Sequence, residues 1–179
     1  MPASTGARPP HHTMTPERLP VEVSAWYVAL TLFIAWLLNL LPYARIPGVP
    51  DFFGMCLVYW ALHRPLRGMM LIALVAGLLL DVHDAALLGE HALAYILMLY
   101  WIMVLRQRML RFGLIGQTLH VFPVFVLAWA VAVAIRSWLV ASLPGWWWIA
   151  DALASAFFWP MFAWLLQLPQ RIMARADPA

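Results

Sequence analysis

The chain has 179 residues, of which 65% are hydrophobic and 11% charged, with a mean hydropathy of +0.82. Soluble domains carry roughly 45–50% apolar and about 25% charged residues, so this apolar excess has no soluble core to fill and implies a bilayer as its solvent. The formal charge of +3 and the pI near 9.5 come from eleven arginines without any lysine; they lie between apolar segments, which points to membrane topology rather than to a nucleic-acid face.

Residues 1–22 are polar and proline-rich and read as a disordered tail. No signal peptide is expected, since the polar stretch is long and no small-residue cleavage site follows the first apolar run. Residues 23–170 form one transmembrane domain, and residues 171–179 a short tail. Segment one runs from Val23 to Leu41, apolar apart from Asn39. Segment two runs from Asp51 to Leu62 after Pro47, Gly48 and Pro50, with Asp51 placed to cap it. Segment three runs from Leu66 to Leu80, or on to Leu88, and segment four from His91 to Leu105. Segment five spans Gly113 to Ala141 with Pro123 inside, and segment six spans Trp146 to Leu168 with Pro160 inside. Each internal proline removes a helix hydrogen bond, so two bent helices are expected.

The fold class is therefore an all-α integral membrane bundle of about six transmembrane helices. With the N-terminus inside, nine of the eleven arginines fall on the inner side, and only Arg45 and Arg136 fall outside. The acidic loop with Asp81, Asp84 and Glu90 is then external, and both termini are cytoplasmic. Segment two strains this scheme, because twelve residues rise only about 18 Å against a hydrocarbon core of about 30 Å. Three readings fit: continuation through His63 and a snorkelling Arg64, local thinning, or a re-entrant segment. Tyr59 and Trp60 suit an interfacial anchor at its inner end, and Trp146, Trp147 and Trp148 an aromatic belt at the other face.

Chemistry-bearing groups are sparse. Asp81, His83, Asp84, Glu90 and His91 form the densest polar cluster. Their spacing fits no closed zinc signature, and helix caps with a solvated turn account for them. Asp81 ends an apolar run and needs water or a partner; capping segment three and accepting hydrogen bonds from a neighbouring helix are its two readings. His120, near Gln117 and Thr118, reads as an interhelical hydrogen-bonding residue, and Cys56 as a small apolar filler. No phosphate loop and no nucleophile–base pair is visible, so no enzyme activity and no cofactor or metal are expected. Gly68, Ala73, Ala76 and Gly77 give segment three a small-residue character that permits close helix approach.

One stretch reads Pro50-Asp51, then Leu57-Val58-Tyr59-Trp60-Ala61-Leu62-His63-Arg64-Pro65-Leu66-Arg67. A second reads Gly77-Leu78-Leu79-Leu80-Asp81, then Leu87-Leu88-Gly89 and Ala92-Leu93-Ala94-Tyr95. In that order and spacing, with Trp159-Pro160 in the last span, they resemble the bacterial rod shape-determining protein MreD family. One departure is that family members often carry a glycine soon after the aspartate, where this chain reads His83-Asp84-Ala85-Ala86.

The resemblance implies a non-enzymatic inner-membrane scaffold of the cell-elongation complex that organises lateral peptidoglycan synthesis. Its implied partners are the bitopic protein MreC and, through it, the MreB filament, RodA and the elongation penicillin-binding transpeptidase. It also implies a fold similar to the substrate-binding membrane subunits of energy-coupling-factor transporters. The structural and partner-binding candidates are Pro50, Asp51, Tyr59, Trp60, Pro65, Arg67, Gly68, Gly77, Asp81, Gly89, Trp159 and Pro160. Inner arginines Arg64, Arg67, Arg106, Arg108 and Arg111 set topology, or meet anionic lipids or cytoplasmic partners, each arginine near an anionic surface contributing about 1 kcal/mol. A second reading is a vitamin-capture subunit with an outward pocket lined by Trp146, Trp147, Trp148 and Asp81.

Overall fold

A computed structural model of the chain describes residues 24–42, 46–141 and 145–176, with side chains described as far as residue 169. The expected polar tail 1–22 and Arg45 lie outside the described residues. Six helices follow in order: α1 (Ala25–Asn39), α2 (Phe52–His63), α3 (Met69–His83), α4 (Glu90–Met109), α5 (Leu114–Val140) and α6 (Trp147–Ala176). They match the six expected segments. The main shift is at the C-terminal end, where α6 runs to Ala176 instead of ending near Leu168.

The helices alternate in direction, so the start of α1 and the far part of α6 share one end of the bundle. There Tyr27 Oη donates to the Leu166 carbonyl at 3.3 Å. Arg64, Arg67, Arg106, Arg108 and Arg111 flank this basic end. All five acids among the described residues (Asp51, Asp81, Asp84, Glu90 and Asp151) lie at the opposite, acidic end.

Only α4, α5 and the stretch Trp147–Pro169 of α6 are both long and apolar enough to cross a bilayer on their own, at 20, 27 and 23 residues. The remaining helices have 15, 12 and 15 residues. For α2 the structure gives a physical reason. Every residue from Phe53 to Leu62 is buried, with α1, α4, α6 and α3 packed around it. A helix apolar on all sides belongs in an interior, and irregular backbone at its ends is tolerable where protein rather than lipid surrounds it.

This burial corrects the expectation for Tyr59 and Trp60. Neither is an interfacial anchor: they are 1% and 0% exposed. The Trp60 indole donates to Thr31 Oγ1 of α1 at 2.9 Å, and its ring meets Tyr27 edge-on. Lipid tails are as apolar as leucine, so dispersion contacts and such polar links hold helices together, not removal of apolar surface from water. Cys56 is fully buried among these side chains, as a filler should be. Pro123 and Pro160 both lie within continuous helices.

Gly77 lets α3 approach the backbone of α4 closely. A Cβ built there would lie 2.5 Å from the Ala92 Cα and 2.6 Å from the Ala92 nitrogen of α4. Both are backbone atoms, which cannot step aside. The α1–α3 side is open by contrast, and an apolar groove of about 540 Å3 lies there, lined by residues such as Leu32, Phe33, Phe53, Leu71, Val75 and Leu79. Trp36 of α1 bridges the two helices by donating to the Ala76 carbonyl at 3.2 Å.

Candidate functional site

The chemistry-bearing side chains collect at the acidic end, and each is placed by a local rule. Pro50 and Asp51 precede α2. The first N–H groups of a helix lack intrahelical partners, and Asp51 Oδ1 accepts from Gly54 N at 2.8 Å. The cap inferred from the sequence is therefore present. The same oxygen accepts from Asn39 Nδ2 of α1 at 2.7 Å and from Tyr95 Oη of α4 at 3.3 Å. Asp51's own backbone N–H donates to Ser155 Oγ of α6 at 2.9 Å. One residue thus joins α1, α2, α4 and α6.

Asp81 resolves its two readings in favour of the neighbouring helix. Its Oδ2 accepts from Gly89 N at 2.7 Å, and its Oδ1 accepts from His91 N and His91 Nδ1, both at 2.8 Å. It is 1% exposed, so in place of water it receives the start of α4. Gly89 meets it with φ of +100°, a backbone shape that glycine adopts without steric penalty. Glu90, nearly buried, pairs with Arg136 of α5 at 3.2 Å. Asp151 of α6 accepts from Gly48 N at 2.6 Å, fixing the α1–α2 loop.

These groups surround a chamber of about 100 Å3. Asn39, Pro50, Asp51, Asp84, His91, Tyr95, Trp129 and Asp151 are among its walls. The His91 ring stands edge-on to Trp129, with centroids 5.1 Å apart. Asn39 Oδ1 and Asp51 Oδ2 are buried without a hydrogen-bond donor. The arrangement is a polar, aromatic-walled pocket bordered by helix caps. It holds no paired nucleophile and base among the described residues.

The candidates from the sequence divide accordingly. Pro50, Asp51, Asp81 and Gly89 come together at the acidic end, and Gly77 supports them by letting α4 approach. Tyr59, Trp60 and Trp159 are core residues. Pro160 lies beside Trp159 within α6, half-buried. Pro65 and Arg67 are exposed on the turn at the basic end, and Gly68 starts α3 with φ of +86°. Asn39, Tyr95, Trp129, Asp151 and Ser155 were not among the site candidates. Asn39 carried a signal, as the one strongly polar side chain in its apolar run; the others only gain meaning once four helices meet.

Two expectations are corrected. Among the described residues His120 makes no interhelical bond: its Nδ1 bonds the Gly116 carbonyl of its own helix at 3.0 Å, and its ring stacks on Phe112. The outward pocket expected for a vitamin-capture subunit is not the chamber observed. Trp146 and Trp147 are 84% and 64% exposed, none of the three tryptophans lines the chamber, and Asp81 is consumed by the α4 terminus.

At the basic end the pattern is sparser. Arg106 Nε donates to the Leu62 carbonyl at 2.8 Å, covering one of the unpaired carbonyls that end α2. Pro65 and Arg67 stand outside the core.

The family model of rod shape-determining protein MreD matches residues 21–168 of the chain. No curated protein and no solved structure matches it. The matched region takes in all of α1 to α5 and most of α6, and the chain belongs to the MreD family.

Proposed function

We propose that the protein is a non-enzymatic scaffold of the bacterial elongation machinery. It sits in the cytoplasmic membrane with six spans and both termini inside, and it organises lateral peptidoglycan synthesis together with MreC. The observation that carries this reading is the family match over residues 21–168. The end-to-end segregation of charge supports the orientation: arginines gather at the end that carries both the start of α1 and the finish of α6, as the positive-inside rule expects of a cytoplasmic face. Through MreC the protein connects to the MreB filament, RodA and the elongation transpeptidase.

The partner face in this reading is the open side between α1 and α3. Its groove of about 540 Å3 is apolar almost throughout, with Leu71, Val75 and Leu79 on α3 and Phe33 on α1 exposed along it. An interface in lipid is driven by shape-matched packing. A groove between two splayed short helices suits a single helix such as the membrane anchor of MreC.

The test is an affinity pull-down of the tagged full chain from gently solubilised native membranes, alongside a clean deletion. Recovery of MreC and rounding of the rod-shaped host are expected. Val75→Trp, which fills the groove from an exposed position, should lower MreC recovery while protein levels hold. Normal rods after deletion with no second copy, or absence of MreC from the eluate, would overturn the scaffold reading. Unchanged recovery with Val75→Trp would overturn the groove assignment alone.

A further inference from the structure

We propose that the chamber at the acidic end is a binding site for the protonated end of an amine, an alkylammonium or guanidinium group. The inference goes beyond the scaffold reading and does not rest on it. Three observations converge. First, Asp51 and Asp151 both line the chamber, and their partners among the described residues are neutral: backbone N–H groups, an amide and a phenol. The arginine described at this end, Arg136, is held by Glu90, and His91, on the chamber wall, is held by Asp81 and lies 4.0 Å from Asp84. A carboxylate oxygen withdrawn from bulk water, as Asp51 Oδ2 is, calls for a compensating cation, and the half-buried Asp151 adds a second negative charge.

Second, Asn39 Oδ1 and Asp51 Oδ2 are buried acceptors without donors. Buried polar groups are nearly always satisfied, and the two oxygens lack donors specifically. An ammonium offers three donors and no acceptor, and a guanidinium five. Third, the walls include Trp129 and Tyr95, whose ring faces attract a cation electrostatically.

Size limits the ligand. Pockets for drug-sized molecules occupy roughly 300–1,000 Å3, whereas this chamber has about 100 Å3. It admits a cationic head of a few heavy atoms and leaves the rest of the ligand outside. The same head can come from a free amine or from a lysine or arginine side chain on a peptide.

The experiment uses the full chain in nanodiscs of neutral lipid, with thermal stability read against probe concentration at fixed ionic strength. The probes are ethylammonium, acetamide as a neutral donor of similar size, magnesium, and a blocked Gly-Lys-Gly peptide. Ethylammonium or the peptide should raise the melting midpoint, and acetamide should not. A tighter response to the peptide identifies a side chain as the source; an equal response identifies a free amine.

Asp151→Asn should weaken the response at least tenfold. It retains an oxygen that can accept from Gly48 N, so the bundle stays intact. Asp51→Asn should do the same if its helicity matches the parent chain. An equal response to acetamide, a response to magnesium alone, or full amine affinity in Asp151→Asn would each overturn the proposal. So would a response that appears only after Arg45→Ala, since the chain's own arginine would then be the cation.

Discussion

The two ends of the bundle solve the same problem differently. At the acidic end, carboxylates reach across between helices. Asp51 links α1, α2 and α4, Asp81 holds the start of α4, and Asp151 holds the α1–α2 loop. At the basic end, arginines fringe the turns, with Arg67, Arg108 and Arg111 exposed and Arg64 and Arg106 half-buried, and the one interhelical side-chain bond described for them is Arg106 to Leu62. The helix dipoles of α2, α4 and α6 point their positive ends at the acids, and those of α2 and α4 their negative ends at Arg64, Arg106 and Arg108. Carboxylates there do precise geometric work, because a short side chain with two acceptors can fix a helix terminus. Arginines on long stems serve orientation relative to the membrane, which demands little geometry. The acidic end should therefore be brittle and the basic end tolerant.

The largest effect is expected at the contact that lets the acidic end close. Gly77 lies against the Ala92 backbone, and a Cβ there would sit 2.5 Å from Ala92 Cα. Gly77→Ala must push α3 and α4 apart and drag the Asp81 carboxylate from Gly89 N and His91 N. A loss of about 3 kcal/mol or more is expected, since overpacking against backbone finds no cheap relief. The measurement is the yield of monodisperse protein after extraction and its melting midpoint. A Gly77→Ala protein as stable as the parent would show that α3 and α4 do not need this approach.

A matched pair then sharpens the contrast between the ends. Asp81→Ala leaves the buried N–H groups of Gly89 and His91 without acceptors, and each orphaned group costs about 1–3 kcal/mol. A loss of about 3 kcal/mol is expected. Arg106→Ala removes a single bond to a helix-terminal carbonyl at a half-exposed position, where water can substitute, so about 1 kcal/mol is expected. Thermal melts of the two variants in one detergent decide the matter. Equal destabilisation would erase the distinction between a locked end and a fringed one.

The parts of this contrast that could be read in the sequence are those governed by rules of short range. Asp51 after Pro50 announced a helix cap. Asp81 at the close of an apolar run announced an acid in need of water or a partner, and the arginine spacing announced the polarity of the bundle. The parts that could not be read depend on which helix surrounds which. Tyr59 and Trp60 sit in a helix that is apolar on every side, and such a sequence looks the same in lipid and in a protein interior. Its length of twelve residues is compatible with burial, because an enclosed helix escapes the length requirement of the bilayer, but α1 and α3 are also short and stay largely exposed. The chamber was invisible because its walls come from α1, α3, α4, α5, α6 and two turns, which only the fold brings together.

The smallest expected effect concerns the turn that feeds the acidic end. Helix α3 ends with Ala86 N donating to the Asp81 carbonyl at 2.9 Å and Ala85 N to the Val82 carbonyl at 3.4 Å. That pairing is a Schellman closure, and it requires a left-handed residue at Ala85, whose φ is +50°. For an L-residue this shape costs about 1–2 kcal/mol. Glycine removes that strain but gives back about 0.5–1 kcal/mol through the freedom it gains when unfolded. Ala85→Gly should therefore stabilise the chain by about 0.5–1 kcal/mol, raising the melting midpoint by about 2 °C. Ala85→Val, with a branched Cβ in the same left-handed position, should lower it. If glycine lowered the midpoint instead, the turn would be held by its contacts and not strained by its backbone, and the acidic end would be less brittle than its hydrogen bonds imply.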